Sequence, residues 1–214
     1  MNTKEIREWK KSLKLTKRQR DIIVGLLLGD GHLETQNGGR TYRLKVEHSL
    51  EQTDYVDWLF SEFAEWIVAK KPYHKERANG QKSVGFTTCS HDAFRFYAHQ
   101  FYSKEKKQIP KIIKKLLNPI SVAVWFMDDG SRKSNRHSAY IIHTLGFSKQ
   151  GLEVLGRAIE EKFLITTTLH RQKEKYWRLY IPSESAARFT KLIVECVLPI
   201  QSMRKKLVTE MPKK

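Results

Sequence analysis

The sequence predicts an α+β protein made of two pseudo-symmetric halves, each with the element order αββαββα. The main observation is an apolar, helix-like stretch that ends in Asp-Gly and occurs twice, at residues 23–31 (IVGLLLGDG) and 122–130 (VAVWFMDDG). The second observation is that the same order of strand-like and helix-like segments follows each copy. Because the copies share a pattern rather than close sequence identity, they predict two halves related by a pseudo-twofold axis.

Hydrophobic periodicity and capping residues define the elements of the first half. Thr16 is a typical N-cap, and Gly31 lets the chain turn out of the first helix. Residues 42–47 alternate between apolar and polar side chains, as in a half-buried strand. The predicted elements are a helix ending at Gly29, strands at 32–36 and 42–47, a helix through Tyr55 and Ile67, strands at 73–77 and 82–88, and a helix capped by Ser90.

The second half repeats this order after a lysine-rich segment. Its predicted elements are a helix ending at Asp129, strands at 132–134 and 139–144, a helix capped by Ser148, strands at 166–171 and 176–181, and a helix capped by Ser183 that Pro199 ends. The predicted boundaries are residues 1–103 for the first half, 104–118 for a linker containing Pro110, and 119–214 for the second half.

Composition restricts the class of function. The 214 residues include 40 Lys and Arg against 23 Asp and Glu, a net charge of +17. Such an excess, spread over the chain, indicates a polyanionic partner, and nucleic acid fits better than a membrane because no basic amphipathic segment stands out. No secretory signal and no apolar run of the roughly 18 residues that a membrane span needs is visible. We therefore expect a soluble intracellular protein, in the cytoplasm, the nucleoid or an organelle matrix.

The two cysteines, Cys89 and Cys196, lie far apart in the sequence and outside any metal-ligand spacing. We expect reduced thiols in the core rather than a disulfide or a zinc site.

The paired Asp-Gly motifs predict a metal site. An apolar helix that carries a carboxylate at its end suits a buried position, where two such ends could meet. Asp30 and Asp129 would then bind Mg²⁺, which needs only one or two carboxylates besides water and substrate phosphates; Mn²⁺ or Ca²⁺ could occupy the same site. Carbonyl oxygens near Gly29 and Asp128 could add ligands, although the Asp128 side chain could point elsewhere. In so basic a chain, the expected substrate is a phosphodiester.

These motifs resemble the signature of the LAGLIDADG homing endonuclease family, and WFMDDG at residues 125–130 is similar to its single-chain branch. The resemblance covers nearly the whole chain. It implies signature helices packed at the interface of the halves and two four-stranded antiparallel sheets that form a DNA-binding saddle. It also implies a monomer that cuts both strands of double-stranded DNA with Mg²⁺, leaving short 3′ overhangs. Asp30 and Asp129, the last acids of the signatures, would be the metal ligands.

The chain departs from the signature at two positions. The signature glycine is Gly25 in the first copy but Val124 in the second, and the signature alanine is Gly29 in the first copy and Asp128 in the second. We therefore expect the two signature helices to pack asymmetrically.

The resemblance further implies a basic residue near each scissile phosphate, where it orders water or neutralises developing charge. Lys107, just before the second signature helix, is similar to one such lysine. Lys175 is the candidate in the second half, with Lys82 and Lys173 as rivals.

The polar faces of the predicted strands form the candidate DNA-reading surface, because Arg, Lys, Gln and Glu on a curved ribbon can reach base edges. Residues at hairpin tips would follow the DNA backbone. The candidate DNA-binding residues are Arg40, Arg43, Lys45, Lys75, Arg77, Lys82, Arg132, Lys133, Arg136, Arg171, Tyr176, Arg178 and Tyr180.

His48 and Thr144 precede the second helix of each half and could flank the catalytic centre. A strand end followed by a helix cap is the simpler interpretation of both.

A site-specific endonuclease is the favoured function. An intron maturase, with intron RNA as a partner, or a regulator that binds nucleic acid without cutting, is an alternative on the same scaffold. The paired acids favour the nuclease, because a pure binder needs no carboxylates facing phosphate. A basic structural nucleic-acid binder would fit the charge but would leave the repeat unexplained.

Overall fold

The computed structural model describes residues 3–104, 106–134, 137–173 and 176–207. Arg136 and Lys175, both predicted above as functional residues, lie outside the described residues. Within these ranges, no helix has both the length and the apolar character that crossing a membrane would require.

The first half has the predicted order of elements, preceded by one extra helix. The elements are α1 (Thr3–Ser12), α2 (Lys17–Leu28), β1 (His32–Glu34), β2 (Arg43–Ser49), α3 (Thr53–Glu62), β3 (Tyr73–Glu76), β4 (Lys82–Thr87) and α4 (Arg95–Phe101). The four strands form one antiparallel sheet in the order β1-β2-β4-β3.

Local interactions explain where these helices begin and end. The side chains of Thr16 and Gln19 form a capping box that starts α2, as predicted for Thr16. The helix predicted through Ile67 ends instead at Glu62, and a 3₁₀ turn, Ala64–Trp66, redirects the chain so that Trp66 is fully buried. At α4, the predicted cap by Ser90 is wrong, because the His91 ring accepts the hydrogen bond from Ala93 N–H.

The second half repeats the topology of the first. A short hairpin of β5 (Tyr102–Ser103) and β6 (Lys106–Lys107) leads to α5 (Ile113–Leu116). The elements that follow are α6 (Pro119–Asp129), β7 (Gly130–Ser134), β8 (His137–His143), α7 (Lys149–Phe163), β9 (Thr168–Gln172), β10 (Tyr176–Ile181), α8 (Ser183–Val197) and α9 (Gln201–Arg204). Their antiparallel sheet has the equivalent order β7-β8-β10-β9. The boundaries predicted around residues 104–118 stay a prediction.

The two motif helices, α2 and α6, pack against each other along the centre of the molecule. Their apolar residues are buried on all sides, as expected for a helix that is hydrophobic all round. A Cβ at Gly25 would lie 2.6 Å from the Cβ of Val124, so the second copy's valine fills the space that the first copy's glycine leaves. A Cβ at Gly29 would likewise overlap the carboxylate of Asp128. The predicted asymmetric packing is therefore present.

Each sheet has one face on the core and one face away from it. Leu44 and Val46 on β2, and Leu179 and Ile181 on β10, are buried, whereas the residues between them are only partly buried. The predicted alternation of residues 42–47 is therefore confirmed, and β10 alternates in the same way.

Cys89 and Cys196 are free thiols, as predicted, but they lie only half-buried beside the core. Burial raises the pKa of both thiols.

Candidate active site

The motif helices bring their terminal acids together. Asp30 lies just after the end of α2, and Asp129 is the last residue of α6. A hydrogen bond of 2.9 Å joins the two ends, from the backbone N–H of Asp30 to Oδ2 of Asp128. The Asp30 side chain is 53% exposed, so its carboxylate is open to a ligand, while the Asp128 side chain is fully buried.

Asp128 is bound by residues of the first half. The Tyr55 hydroxyl donates a 2.8 Å hydrogen bond to Oδ1 of Asp128. The buried His48 ring lies between the acids, with Nε2 3.6 Å from Oδ1 of Asp128 and Nδ1 3.7 Å from Oδ2 of Asp30. The Asp128 carboxylate is therefore engaged inside the protein, and of the predicted metal-binding acids only Asp30 and Asp129 stay candidates for side-chain ligands.

The environment of Asp128 and Asp129 opposes their full ionisation. Burial raises the pKa of Asp129 to about 8, helped by the neighbouring charges of Asp128 and Asp30, and opposed by Lys107 and Lys206. Burial also raises the pKa of Asp128 to about 6, with His48 opposing the shift. Converging carboxylates that repel one another in a partly dry site are stabilised by a cation. This donor set fits a hard divalent ion such as Mg²⁺.

A partly buried lysine contacts each acid-bearing helix end. Lys107 Nζ donates hydrogen bonds to the carbonyl oxygens of Gly29 and, at 2.7 Å, Gly31, on either side of Asp30. Lys206 Nζ donates to the carbonyl oxygens of Met127 and, at 3.2 Å, Asp128.

The two lysines occupy equivalent positions, and their surroundings shift the pKa of both amines in the same direction. Burial lowers the pKa of both amines, and the three neighbouring aspartates oppose the shift. The carbonyl oxygens of Gly29 and Asp128, predicted above as metal ligands, accept hydrogen bonds from these amines here.

Sequence analysis found Lys107 but missed Lys206. The available signal was the repeat itself, because a lysine-rich stretch follows the last long helix of each half. Among the rival lysines, Lys82 Nζ lies 3.6 Å from Glu76 Oε2, and Lys173 has a left-handed backbone (φ 47°) in the turn after β9.

His48 and Thr144 have different roles despite their matching positions. His48 lies near the end of strand β2, as the simpler interpretation expects, and its ring also lies between two aspartates. Thr144 donates a 2.8 Å hydrogen bond to the Trp177 carbonyl oxygen, which is a structural role within its own half.

The outer face of the first sheet pairs its basic residues with acids. Arg43 donates two hydrogen bonds, at 2.8 and 3.0 Å, to Oε2 of Glu34, and Lys45 Nζ lies 3.5 Å from Oε1 of Glu34. Arg77 donates a 3.0 Å bond to Glu47. Burial opposes ionisation of both glutamates, but these partners hold their pKa values below the ordinary range.

Arg40 and Lys75, the other predicted DNA-binding residues of this half, are exposed. Arg40 donates a hydrogen bond to the Asn37 carbonyl oxygen, and Lys75 pairs in register with Ser83 on the outer face.

The outer face of the second sheet carries a stacked column. Lys133 Nζ lies 5.3 Å above the Tyr180 ring, which stacks on the His170 ring at 4.5 Å between centroids. Arg178 pairs in register with His170, and Tyr176 with Gln172, on the same face. Among the described residues, Arg178 Nε and Gln172 Oε1 are buried and have no hydrogen-bond partner.

Strand register places three predicted DNA-binding residues on the helix side of their sheets. Arg132 pairs with Tyr140, Arg171 pairs with Trp177, and Lys82 follows the alternation of buried Val84. Lys82 and Arg171 lie near strand ends, and Arg132 lies beside the register shift in β7. All three stay candidates for contacts with the DNA backbone but not for the central outer face.

The chain is similar to known proteins in both sequence and structure. The LAGLIDADG DNA endonuclease family matches residues 20–189. The chain is similar to DNA endonuclease I-ChuI of Chlamydomonas applanata, with 29% identity over 86% of this chain and 94% of that protein. It is similar in structure to the homing endonuclease I-WcaI bound to its DNA recognition sequence, with a TM-score of 0.88 and 26% identity over 98% and 95% of the two chains. Cytochrome b mRNA maturase bI2 of Saccharomyces cerevisiae is 27% identical over 87% of this chain and 46% of the maturase.

Proposed function

The chain belongs to the LAGLIDADG DNA endonuclease family, and we propose that it is a monomeric, sequence-specific endonuclease that cuts both strands of double-stranded DNA, leaving short 3′ overhangs. The observation that carries this proposal is the pair of adjoining helix ends, each with an aspartate and a partly buried lysine. Two equivalent sites within one molecule suit the two strands of a duplex. The relatives I-ChuI and I-WcaI, named as endonucleases, support the same reading.

The side chains have distinct roles in the proposed reaction. Asp30 and Asp129 would hold Mg²⁺, with Mn²⁺ or Ca²⁺ able to take its place. When bound, the metal supplies positive charge that stabilises the attacking and departing oxygens of the phosphodiester. Lys107 and Lys206 order the peptide carbonyls beside the acids and place positive charge where the phosphate would lie.

The outer faces of the two sheets bind the DNA. Arg43, Lys45, Arg178 and Tyr180 would face base edges in the major groove. Arg40, Lys75 and Arg77, at or near turns, would contact phosphates, which position the protein without reading sequence.

Substitution of each acid tests the proposal directly. Targets would be selected from a randomised duplex library with the wild-type protein and Mg²⁺. Asp30→Asn and Asp129→Asn should each abolish cleavage of a selected duplex in Mg²⁺ and keep its binding, because they remove one ligand charge with little change in shape. Retained cleavage by either variant would refute the assigned site.

Binding should also weaken steeply with salt, since log K falls by about 0.9 per phosphate contact for each unit of log salt. A flat salt response would count against the proposed binding surface.

A maturase function is the second candidate, supported by the similarity to the bI2 maturase. The chain spans about half of that protein's length, so only part of it has a counterpart here. Binding and splicing assays with a host intron RNA would test this function. Splicing that persists in Asp30→Asn would show that the maturase function does not depend on DNA cleavage.

A further inference from the structure

The two motif helices differ in the residue that precedes each terminal aspartate. In α6 this residue is Asp128, and in α2 it is Gly29. Asp128 Oδ2 accepts a 2.9 Å hydrogen bond from the backbone N–H of Asp30, across the boundary between the halves. Gly29 has no side chain that could return such a bond to Asp129. This hydrogen bond therefore supports the backbone at Asp30, and Gly29 cannot support Asp129 in the same way.

The first half holds the Asp128 side chain in one orientation. The hydroxyl of the fully buried Tyr55 donates a 2.8 Å hydrogen bond to Oδ1 of Asp128, and Tyr55 stacks on Trp58. The His48 ring lies 3.6 Å from the same oxygen. Turning the carboxylate would leave buried donors without a partner, which is unfavourable, so both oxygens keep their positions.

The backbone at Asp30 depends on this support more than the backbone at Asp129 does. Helix α2 ends at Leu28, before Asp30, whereas α6 continues through Asp129. Asp129 is thus ordered by its own helix. The Asp30 N–H has Asp128 as its acceptor instead.

We propose that Asp128 is a positioning residue which, held by Tyr55, fixes the backbone at Asp30 and thereby sets the relative rates at which the two DNA strands are cut. The proposal rests on the proposed endonuclease function. Removing the Asp128 carboxylate should misplace Asp30 and leave Asp129 in position. A misplacement of about 1 Å at a reacting centre can slow a reaction by about 10²-fold.

The variants must separate positioning from loss of folding. Asp128→Ala alone would leave the buried Tyr55 hydroxyl without its carboxylate partner. The test protein therefore carries both Tyr55→Phe and Asp128→Ala. Gly29 is kept, because a Cβ there would lie 2.6 Å from the Asp128 Cβ. Asp128→Asn is the conservative variant, since its amide can accept from Asp30 N–H and donate to the Tyr55 oxygen. Tyr140→Phe is the control, as it removes a buried hydroxyl, 2.6 Å from that of Thr190, in the second half.

Amide hydrogen exchange, followed by NMR on the metal-free protein, tests the geometry without any cleavage. In the double variant the Asp30 amide should exchange at least about tenfold faster, while the Asp129 amide changes less than about twofold. Asp128→Asn should remain close to wild type at both amides. Unchanged exchange at Asp30 in the double variant would overturn the proposal.

Single-turnover cleavage of a selected duplex, with each strand labelled separately, tests the consequence. The ratio of the two strand rates should change at least about fivefold in the double variant and less than about twofold in Asp128→Asn and Tyr140→Phe. A smaller change in the double variant, including an equal loss on both strands, overturns the proposal. A wild-type protein that cuts no duplex would overturn the proposed function and the strand-rate claim, while the exchange measurement would still decide whether Asp128 positions Asp30.

Discussion

The outer faces of the two sheets balance their positive charge differently. On the first sheet, Glu34 and Glu47 each accept hydrogen bonds from an arginine of the same half. On the second, the described residues of β7 to β10 include no Asp or Glu, and Lys133 lies over the Tyr180 ring instead. A repeated fold therefore need not divide DNA binding equally. The first sheet offers basic groups fixed by ion pairs, and the second offers uncompensated charge and stacked rings.

The largest expected effect is on the cleavage rate, when the lysine beside either helix end is replaced. Lys107→Met and Lys206→Met should each slow cleavage on the order of 10²-fold, because a positioned charge near the phosphate is lost. We expect each variant to slow a different strand more strongly. Strand-resolved single-turnover rates measure both effects.

The neighbouring exposed lysines provide matched controls for this prediction. Lys106→Met and Lys205→Met remove the same charge next in sequence and should leave the rates nearly unchanged. If Lys206→Met cuts as fast as its control does, the second-half lysine lies elsewhere, and Lys175 becomes the candidate to test.

The next effect compares the two sides of the second sheet. Arg178→Ala should weaken binding to a selected duplex by about 1–3 kcal/mol and relax the preference at one base position. Arg171→Ala, on the helix side by register, should change affinity by less than about 0.5 kcal/mol. Equilibrium titrations at one fixed salt concentration measure both variants. Equal losses would show that strand register does not define the reading face.

A smaller effect should follow from releasing the ion pairs of the first sheet. Glu34→Gln releases Arg43 and Lys45 from their ion pair, so each phosphate that either residue contacts besides its base edge should steepen the slope of log K against log salt by about 0.9. Glu161→Gln is the matched control, because Glu161 pairs with Lys114 of α5, which lies on neither sheet. A slope that stays unchanged in Glu34→Gln would mean that these residues do not approach DNA.

The smallest effect concerns pH and metal. The folded-state pKa of Asp129 is raised to about 8, above its ordinary value of 3.8, so the stability it contributes is present at low pH and is lost as pH rises through about 8. Mg²⁺ binds the ionised acid and should therefore raise the thermal midpoint more at about pH 8 than at about pH 5.

Thermal melts with Mg²⁺ or with a chelator measure this difference. We expect about 2–4 °C for each kcal/mol. Asp129→Asn should remove most of the pH dependence, and Asp57→Asn, at an exposed acid of α3, should keep it. An equal metal effect at both pH values would argue against Asp129 as a ligand.

Much of the architecture could be predicted from local sequence. The motif helices are apolar on every side and end in Asp-Gly, and strands such as β2 alternate strictly, so their type and buried face follow from periodicity. The break of the helix after Glu62 was missed, because burial of Trp66 against the His91 and Phe94 rings depends on distant residues.

The candidate site was only partly predictable for the same reason. Asp30 and Asp129 lie in a repeated motif, whereas His48 and Tyr55 reach Asp128 only through the packing of the two halves. Lys206 lies several residues after α8, and the chain turns so that its amine contacts the end of α6. Hydrophobic periodicity does not predict this turn. Contacts between residues far apart in sequence are set by tertiary structure, which local patterns do not contain.

The complementary pairs Gly25–Val124 and Gly29–Asp128 make the halves mutually dependent. Two copies of the first half would place glycine opposite glycine and leave voids, while two copies of the second would force valine against valine and carboxylate against carboxylate. A gene encoding either half alone would therefore not yield a working homodimer. Co-expression of both separate halves should restore assembly, and only in the mixed pairing.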